Sequence, residues 1–376
     1  MKLIIKILNM YIYSILHQQI KSILTLTNTH LLEKAVLGFF IVLTTWACIS
    51  KTEATTSSKP AQKHRFAFYN VENLFDTLDN PKKIDEEFLP GTEKNWNTKR
   101  YQKKLSNLAQ VMEGMQYPAI IGLCEVENKT VLQDFVAFDD MKKHDYGIVH
   151  YESPDMRGID AAFLYQKDVF ELKKSDYIRI PFPDNIEKGY TSRDILCVEG
   201  VFEGAPCYFF VNHWPSRRGG TEASEPKRMH VAQFLRKRID KIQQKNPKAS
   251  IFIMGDFNDE TDNNSVKQVL QAATEMTPVK DNILYNCSAE QDKAGKGSYN
   301  WRGQWNMMDQ FIVSGSTLNG ASPIKTLEFA VYDSKEIQFY DKRNEMYRPN
   351  RTYGGPRYFG GYSDHLPIYI DVAVGE

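Results

Sequence analysis

Residues 250–260 read SIFIMGDFNDE: the β-prone apolar run Ile251–Met254 leads into Gly255, and then Asp256, Asn258 and Asp259 stand where the strand ends. A buried strand tipped with carboxylate and amide is costly unless the tip has work to do. Other segments repeat the pattern. RFAFYNVEN (65–73) ends on Asn70 and Glu72, and PAIIGLCEVEN (118–128) ends on Glu125. CYFFVNHWPSRR (207–218) carries Asn212, His213, Ser216 and Arg217, while GYSDHLPIYI (361–370) puts Ser363, Asp364 and His365 before a strand. Polar groups gathered at strand ends of an α/β sheet converge on one rim, where rigid backbone can hold them around a crevice.

Around these tips the periodicity alternates. Strands are predicted at 65–71, 118–126, 161–166, 194–202, 207–214, 250–256, 308–314 and 366–372, with helices at 98–115 and 224–244. The first strand, the helix at 98–115 and the second strand form a β-α-β unit, and EGAP (203–206) turns an antiparallel hairpin. Hairpin-linked strands separated by long helices imply two packed mixed sheets covered by helices. Residues 332–361 have neither period and are rich in Tyr, Arg, Gly and Pro, including Arg343, Arg348, Arg351 and Arg357. Their length marks them as a functional loop or an inert insertion, and the aromatics argue against plain disorder.

The 376 residues fit one large domain at 64–376 behind an N-terminal region of different character. In residues 1–50, basic positions flank AVLGFFIVLTTWAC (35–48), which is short for a bilayer span, and a polar linker follows at 51–63. This reads as an export signal, placing the protein in the envelope, the periplasm or outside the cell. Cys48 at the end of the apolar run resembles the acylated cysteine of a bacterial lipoprotein and would supply membrane attachment. Cys124, Cys197, Cys207 and Cys287 include no CxxC and no metal-ligand spacing. Lys plus Arg (47) balances Asp plus Glu (47), so a polyanion would have to be held by a local patch. A monomer is expected.

Oxygen donors from Glu, Asp and Asn without a cysteine cage suit a hard ion, Mg²⁺ or Mn²⁺. With histidines and arginines added, such a rim suits attack on phosphorus: cations stabilise the equatorial oxygens, one His activates water and a second group protonates the leaving oxygen.

The motifs FYNVEN, GLCEVEN, VNHWPSR, MGDFND, MMDQFIVS and YSDHLPI also occur in the order found in the endonuclease/exonuclease/phosphatase superfamily, which the chain resembles over about residues 64–374. The resemblance is strongest to the exported bacterial nuclease-like branch. It implies a DNase I-like four-layer α/β sandwich and a metal held by Glu125, Asn70, Glu72 and Asp364. It further implies catalytic roles for Asp256 and Asn258 at the phosphate, for His365 held by Asp309, and for His213 on the acid side. Arg193 matches a phosphate-contacting arginine; Arg157, Arg217 and Trp301 are the remaining substrate-binding candidates. Trp301 is read equally as a core residue and as a substrate wall.

The expected function is metal-dependent phosphodiester hydrolysis, foremost by an exported endonuclease acting on DNA or RNA. A phosphatase or a phosphodiesterase acting on a phospholipid or sugar phosphate keeps the same chemistry, because fold and site fix the reaction class and loops choose the substrate. A non-enzymatic binding protein has no need of both histidines.

Overall fold

The computed structural model describes Gln18 and residues 62–375; the export-signal reading of residues 1–50, Cys48 and most of the 51–63 linker lie outside the described residues. The strands are β1 Lys63–Leu74, β2 Ile120–Val126, β3 Tyr146–His150, β4 Asp160–Gln166, β5 Phe170–Ile178, β6 Ile195–Phe202, β7 Ala205–His213, β8 Ser250–Asp256, β9 Ala272–Ala273 and β10 Leu284–Asn286. They continue with β11 Tyr299–Trp301, β12 Gln304–Asn306, β13 Asp309–Ser314, β14 Ile324–Val331, β15 Gln338–Asp341, β16 Met346–Pro349, β17 Tyr353–Gly354, β18 Arg357–Tyr358 and β19 Ile368–Val374. The long helices are α1 Thr98–Gly114, α2 Lys129–Ala137 and α3 Thr221–Lys245.

One sheet has the order β14-β19-β1-β2-β4-β3 and the other β5-β6-β7-β8-β13-β10-β9. Both are mixed: β1 and β2 pair in parallel across the α1 crossover, as do β7 and β8 across α3, and the remaining long pairs are antiparallel. Three buried apolar clusters separate the layers. Phe66, Phe68, Phe163, Phe209 and Phe252 fill the space between the sheets. Leu105, Leu108 and Met112 of α1 with Val131 and Phe135 of α2 pack on the outer face of the first sheet, while Val231, Leu235 and Ile239 of α3 cover the second. Helix, sheet, sheet, helix is the four-layer α/β sandwich that the sequence predicts.

Local chemistry sets the boundaries. Asn97 and Asn128 cap α1 and α2 by accepting the amides of Arg100 and Val131 at 3.2 and 3.0 Å. The β6–β7 turn is two residues, Glu203 and Gly204, both at positive φ (47° and 82°), the backbone that twists with a tight hairpin. Gly255 has a separate reason: a Cβ there would lie 2.4 Å from the Asn212 carbonyl oxygen of β7, so only glycine lets these strand ends pair.

The 332–361 segment departs from its aperiodic reading. It folds into the hairpins β15–β16 and β17–β18. The second is strapped down by buried groups: Glu72 accepts the Thr352 and Tyr353 amides at 2.6 and 3.1 Å, Lys104 donates to Thr352 Oγ1 and the Tyr362 carbonyl, and Asn107 donates to the Gly361 carbonyl.

Candidate active site

Strand parity builds the site. In β1, Phe66 and Phe68 face the inter-sheet core, and the next residue of that parity is Asn70. The same step of two leads from Phe209 and Val211 to His213, from Phe252 and Met254 to Asp256, and back from Val313 and Phe311 to Asp309. Four strands thus deliver amide, imidazole and two carboxylates to one end of the apolar layer, where register sets His213 beside Asp256 and Asp256 beside Asp309. This explains the polar tip of SIFIMGD: it is the floor of a cleft.

The contacts are close. Asn70 Nδ2 donates to Asp256 Oδ2 at 3.0 Å and to Glu125 Oε1 at 3.3 Å. Glu125 Oε2 accepts the Asn73 amide at 3.0 Å, and Asp256 Oδ1 accepts that of Asn258 at 2.9 Å. His213 Nε2 lies 3.9 Å from Glu125 Oε1 and 3.8 Å from Asp256 Oδ2. His365 Nδ1 bonds Asp309 Oδ2 at 2.6 Å, leaving Nε2 3.9 Å from Asp256 Oδ2. Glu125 and Asn258 hold left-handed backbone (φ 62° and 50°), strain of a kind that clusters at functional sites.

Burial polarises the groups. It raises the Asp256 carboxyl to about 7 against the opposing pull of His365. It also pushes His213 well below the ordinary histidine range, with Arg193 and Arg157 adding to the effect, so this ring is neutral. Burial would lower His365 as well, but the Asp309 carboxylate overturns that and holds it well above, as an imidazolium.

A cleft of about 610 Å³ opens over this floor, lined among others by Glu125, Arg157, His213, Arg217, Arg218, Asp256, Asn258, Trp301, Asp364 and His365. Several sequence candidates therefore sit together, and some sit elsewhere. Glu72, expected as a metal ligand, is turned away, both its oxygens taken by the Thr352 and Tyr353 amides. Arg193, expected at the phosphate, is 5 % exposed and braces Asp155 and the Trp214 carbonyl from behind His213. Asp364 reaches the cleft with Oδ2 bound by Arg351 at 2.6 Å. Arg217 reaches it while tying down the Asn258 carbonyl and Asn263. Trp301 is 53 % exposed, which excludes the core reading. Two residues of the same stretch were not singled out from sequence: the Tyr299 ring lies 4.8 Å from that of His365, and Ser298 Oγ donates to Asp309 Oδ2. The signal available was their place beside Trp301, upstream of Asp309.

The donor set fits a hard divalent ion. Glu125 and Asp256 share Asn70 between them, and among the described residues the ion-pair partner of Glu125 is the neutral His213 alone, leaving its negative charge uncompensated. Cys124, His213 and Asp256 can also bring one donor atom each within 4.8 Å of one another, and burial pushes the Cys124 thiol far up, which disfavours its thiolate in the free protein.

A buried base, an imidazolium and an uncompensated carboxylate at the strand ends of a four-layer sandwich define a phosphoester hydrolase. A model of the Endonuclease/Exonuclease/phosphatase family matches residues 65–374, and the chain belongs to that family. An endonuclease/exonuclease/phosphatase family protein from Bacteroides thetaiotaomicron superposes with a TM-score of 0.52 at 16% identity, over 84% of this chain and 99% of that one. D. rerio TDP2 complexed with single-strand DNA product gives 0.50 at 15% identity over 83% and 99%, and a B. thetaiotaomicron mannosyl-6-phosphatase 0.51 at 17% over 82% and 99%. At these identities the likeness is one of fold. Comparison with curated protein sequences returned no match.

Proposed function

We propose that this enzyme is a metal-dependent phosphodiesterase that cleaves nucleic acid. The fold does not choose the substrate, since one similar structure holds a DNA product and another is a sugar phosphatase. The cleft walls carry the reading: Arg157, Arg217 and Arg218 line it together with the exposed indole of Trp301, and Arg302 lies 5.3 Å from that ring. Cations spaced beside a free aromatic face suit a strand of phosphates and bases, whereas a lone phosphate needs no stacking platform.

In this reading Asp256, titrating near neutrality, takes the proton of the attacking water. The imidazolium of His365, oriented by Asp309, donates from Nε2 to a non-bridging phosphate oxygen, and Asn258 adds an amide donor. His213 would then protonate the leaving oxygen, the acid role that the family resemblance implies: burial and Arg193 hold its pKa down in the free protein, and a phosphate anion in the cleft would raise it. Glu125, Asn70 and Asp364 are the residues that would hold Mg²⁺ or Mn²⁺. A bound ion of that kind would neutralise charge developing on the phosphate oxygens. With residues 1–50 read as an export signal, the activity belongs at the envelope or beyond it, with Cys48 as a lipid anchor.

The test is hydrolysis of plasmid DNA, RNA, bis-p-nitrophenyl phosphate and p-nitrophenyl phosphate with Mg²⁺ or Mn²⁺. Metal-dependent cleavage of DNA or RNA is expected. Turnover of the monoester with both nucleic acids intact would replace this reading with a phosphatase.

A further inference from the structure

Away from the cleft floor, His150 closes β3 and Asp160 opens β4, its antiparallel neighbour. Their side chains are 3 % and 1 % exposed, and His150 Nε2 faces Asp160 Oδ2 at 3.3 Å. Neither atom has a hydrogen-bond partner. The other oxygen of Asp160 is occupied by the Ser153 amide at 2.9 Å. Buried polar atoms are as a rule hydrogen-bonded, so two facing each other without such a bond point to a missing third body. Glu152 supplies a further donor: one atom each from His150, Glu152 and Asp160 lie within 4.8 Å of one another.

At 3.3 Å the pair is long for a charge-assisted N–H···O⁻ bond, which usually spans about 2.7–2.9 Å, and the two atoms are not aligned as donor and acceptor. Two ligands each about 2.1 Å from a shared ion, at an angle of about 100°, would span the same distance. We infer that His150, Glu152 and Asp160 form a second divalent-cation site, distinct from the catalytic floor. One imidazole with two carboxylates favours a first-row ion such as Zn²⁺ over Mg²⁺ or Ca²⁺, with water filling the remaining positions.

The site has a consequence for the cleft. Glu152 and Asp160 stand at the two ends of the 152–160 turn, which carries Arg157 to the cleft and Asp155 to its 3.2 Å contact with Arg193. An ion at its base staples that wall in place.

The test uses the full chain, stripped with chelator, dialysed and then given Zn²⁺, in an Asp256→Asn background, which removes the carboxylate common to both metal-capable groups of the floor. One Zn²⁺ per chain should bind in the presence of excess Mg²⁺ and should raise Tm. Glu152 is exposed, so Glu152→Gln should leave the metal-free Tm unchanged while weakening Zn²⁺ binding by about 10-fold or more. Asp160→Asn should abolish binding. A chain that binds no Zn²⁺ in the Asp256→Asn background, or binds it equally well with Glu152→Gln, would overturn the assignment.

Discussion

Asn70 and Asp256, 186 residues apart, are joined by a 3.0 Å hydrogen bond at the point where the inter-sheet core gives way to the cleft. Each continues the inward face of its strand, so the apolar layer and the polar floor are successive positions of one pattern. Asp256 is therefore buried by the same packing that places it, and this burial holds its carboxyl near 7.

A carboxyl held above its ordinary range is a group the fold would sooner keep neutral. Asp256→Asn is accordingly expected to remove about 10²–10⁴-fold of turnover while leaving metal-free Tm unchanged or higher, the usual exchange of stability for activity. Turnover with calorimetry on both proteins checks this. A large fall in Tm would show that Asp256 serves the fold.

His365 and Asp309 give a pH dependence with a definite sign. The folded-state pKa of His365 lies above the ordinary value of about 6.5, so the fold binds its proton more tightly than the unfolded chain does. The contribution is complete below that value and is lost as pH rises through the raised pKa. In chelator, Asp309→Asn should cost the most stability at about pH 6 and progressively less as pH rises through the raised pKa. Urea unfolding across the pH range decides it, and a pH-independent difference would contradict the pairing.

Lys104 and Glu72 secure the β17–β18 strap, with Lys104 wholly buried and lowered to about 8 by that burial against the opposing pull of Glu72. Lys104→Met leaves Thr352 Oγ1 and the Tyr362 carbonyl without their donor and removes a positive charge that acts on buried Glu72, so it should cost about 3 kcal/mol. Adding Glu72→Gln should recover part of the loss. A double variant as unstable as the sum of the singles would show that the two act independently.

Trp301 offers an indole to the solvent at the cleft. Trp301→Ala should lower kcat/KM on single-stranded DNA by about 5-fold or more, the worth of one stacked base, and leave bis-p-nitrophenyl phosphate unaffected. An equal loss on both substrates would move Trp301 from substrate wall to scaffold.

The strands that mount the floor were legible because they are buried on both faces and read as unbroken apolar runs: IFIM before Asp256 and YFFV before Asn212 and His213. The sheet-edge strand β5 was not, since FELKKSDYI exposes much of its length and shows no clear alternation. The strap escaped for another reason. Its strands are two residues long, too short for any period, and its anchor Glu72 lies 280 residues from Thr352 in the chain. Residue type and place at a strand end offered Glu72 as a ligand, but its left-handed backbone and its partners are tertiary facts. Arg193 escaped likewise, because nothing in TSRDIL reveals which side of His213 the guanidinium takes.

The floor formed by Asn70, Glu125, His213, Asp256, Asp309 and His365 should hydrolyse phosphoesters with a divalent ion. The most direct measurement is the rate of bis-p-nitrophenyl phosphate hydrolysis against Mg²⁺ and Mn²⁺ concentration for the wild type, Glu125→Gln and Asp256→Asn. A saturable metal dependence is predicted for the wild type, with Glu125→Gln needing far more metal and Asp256→Asn nearly inactive at any concentration. Activity that persists in chelator, or that both substitutions leave intact, would contradict the account.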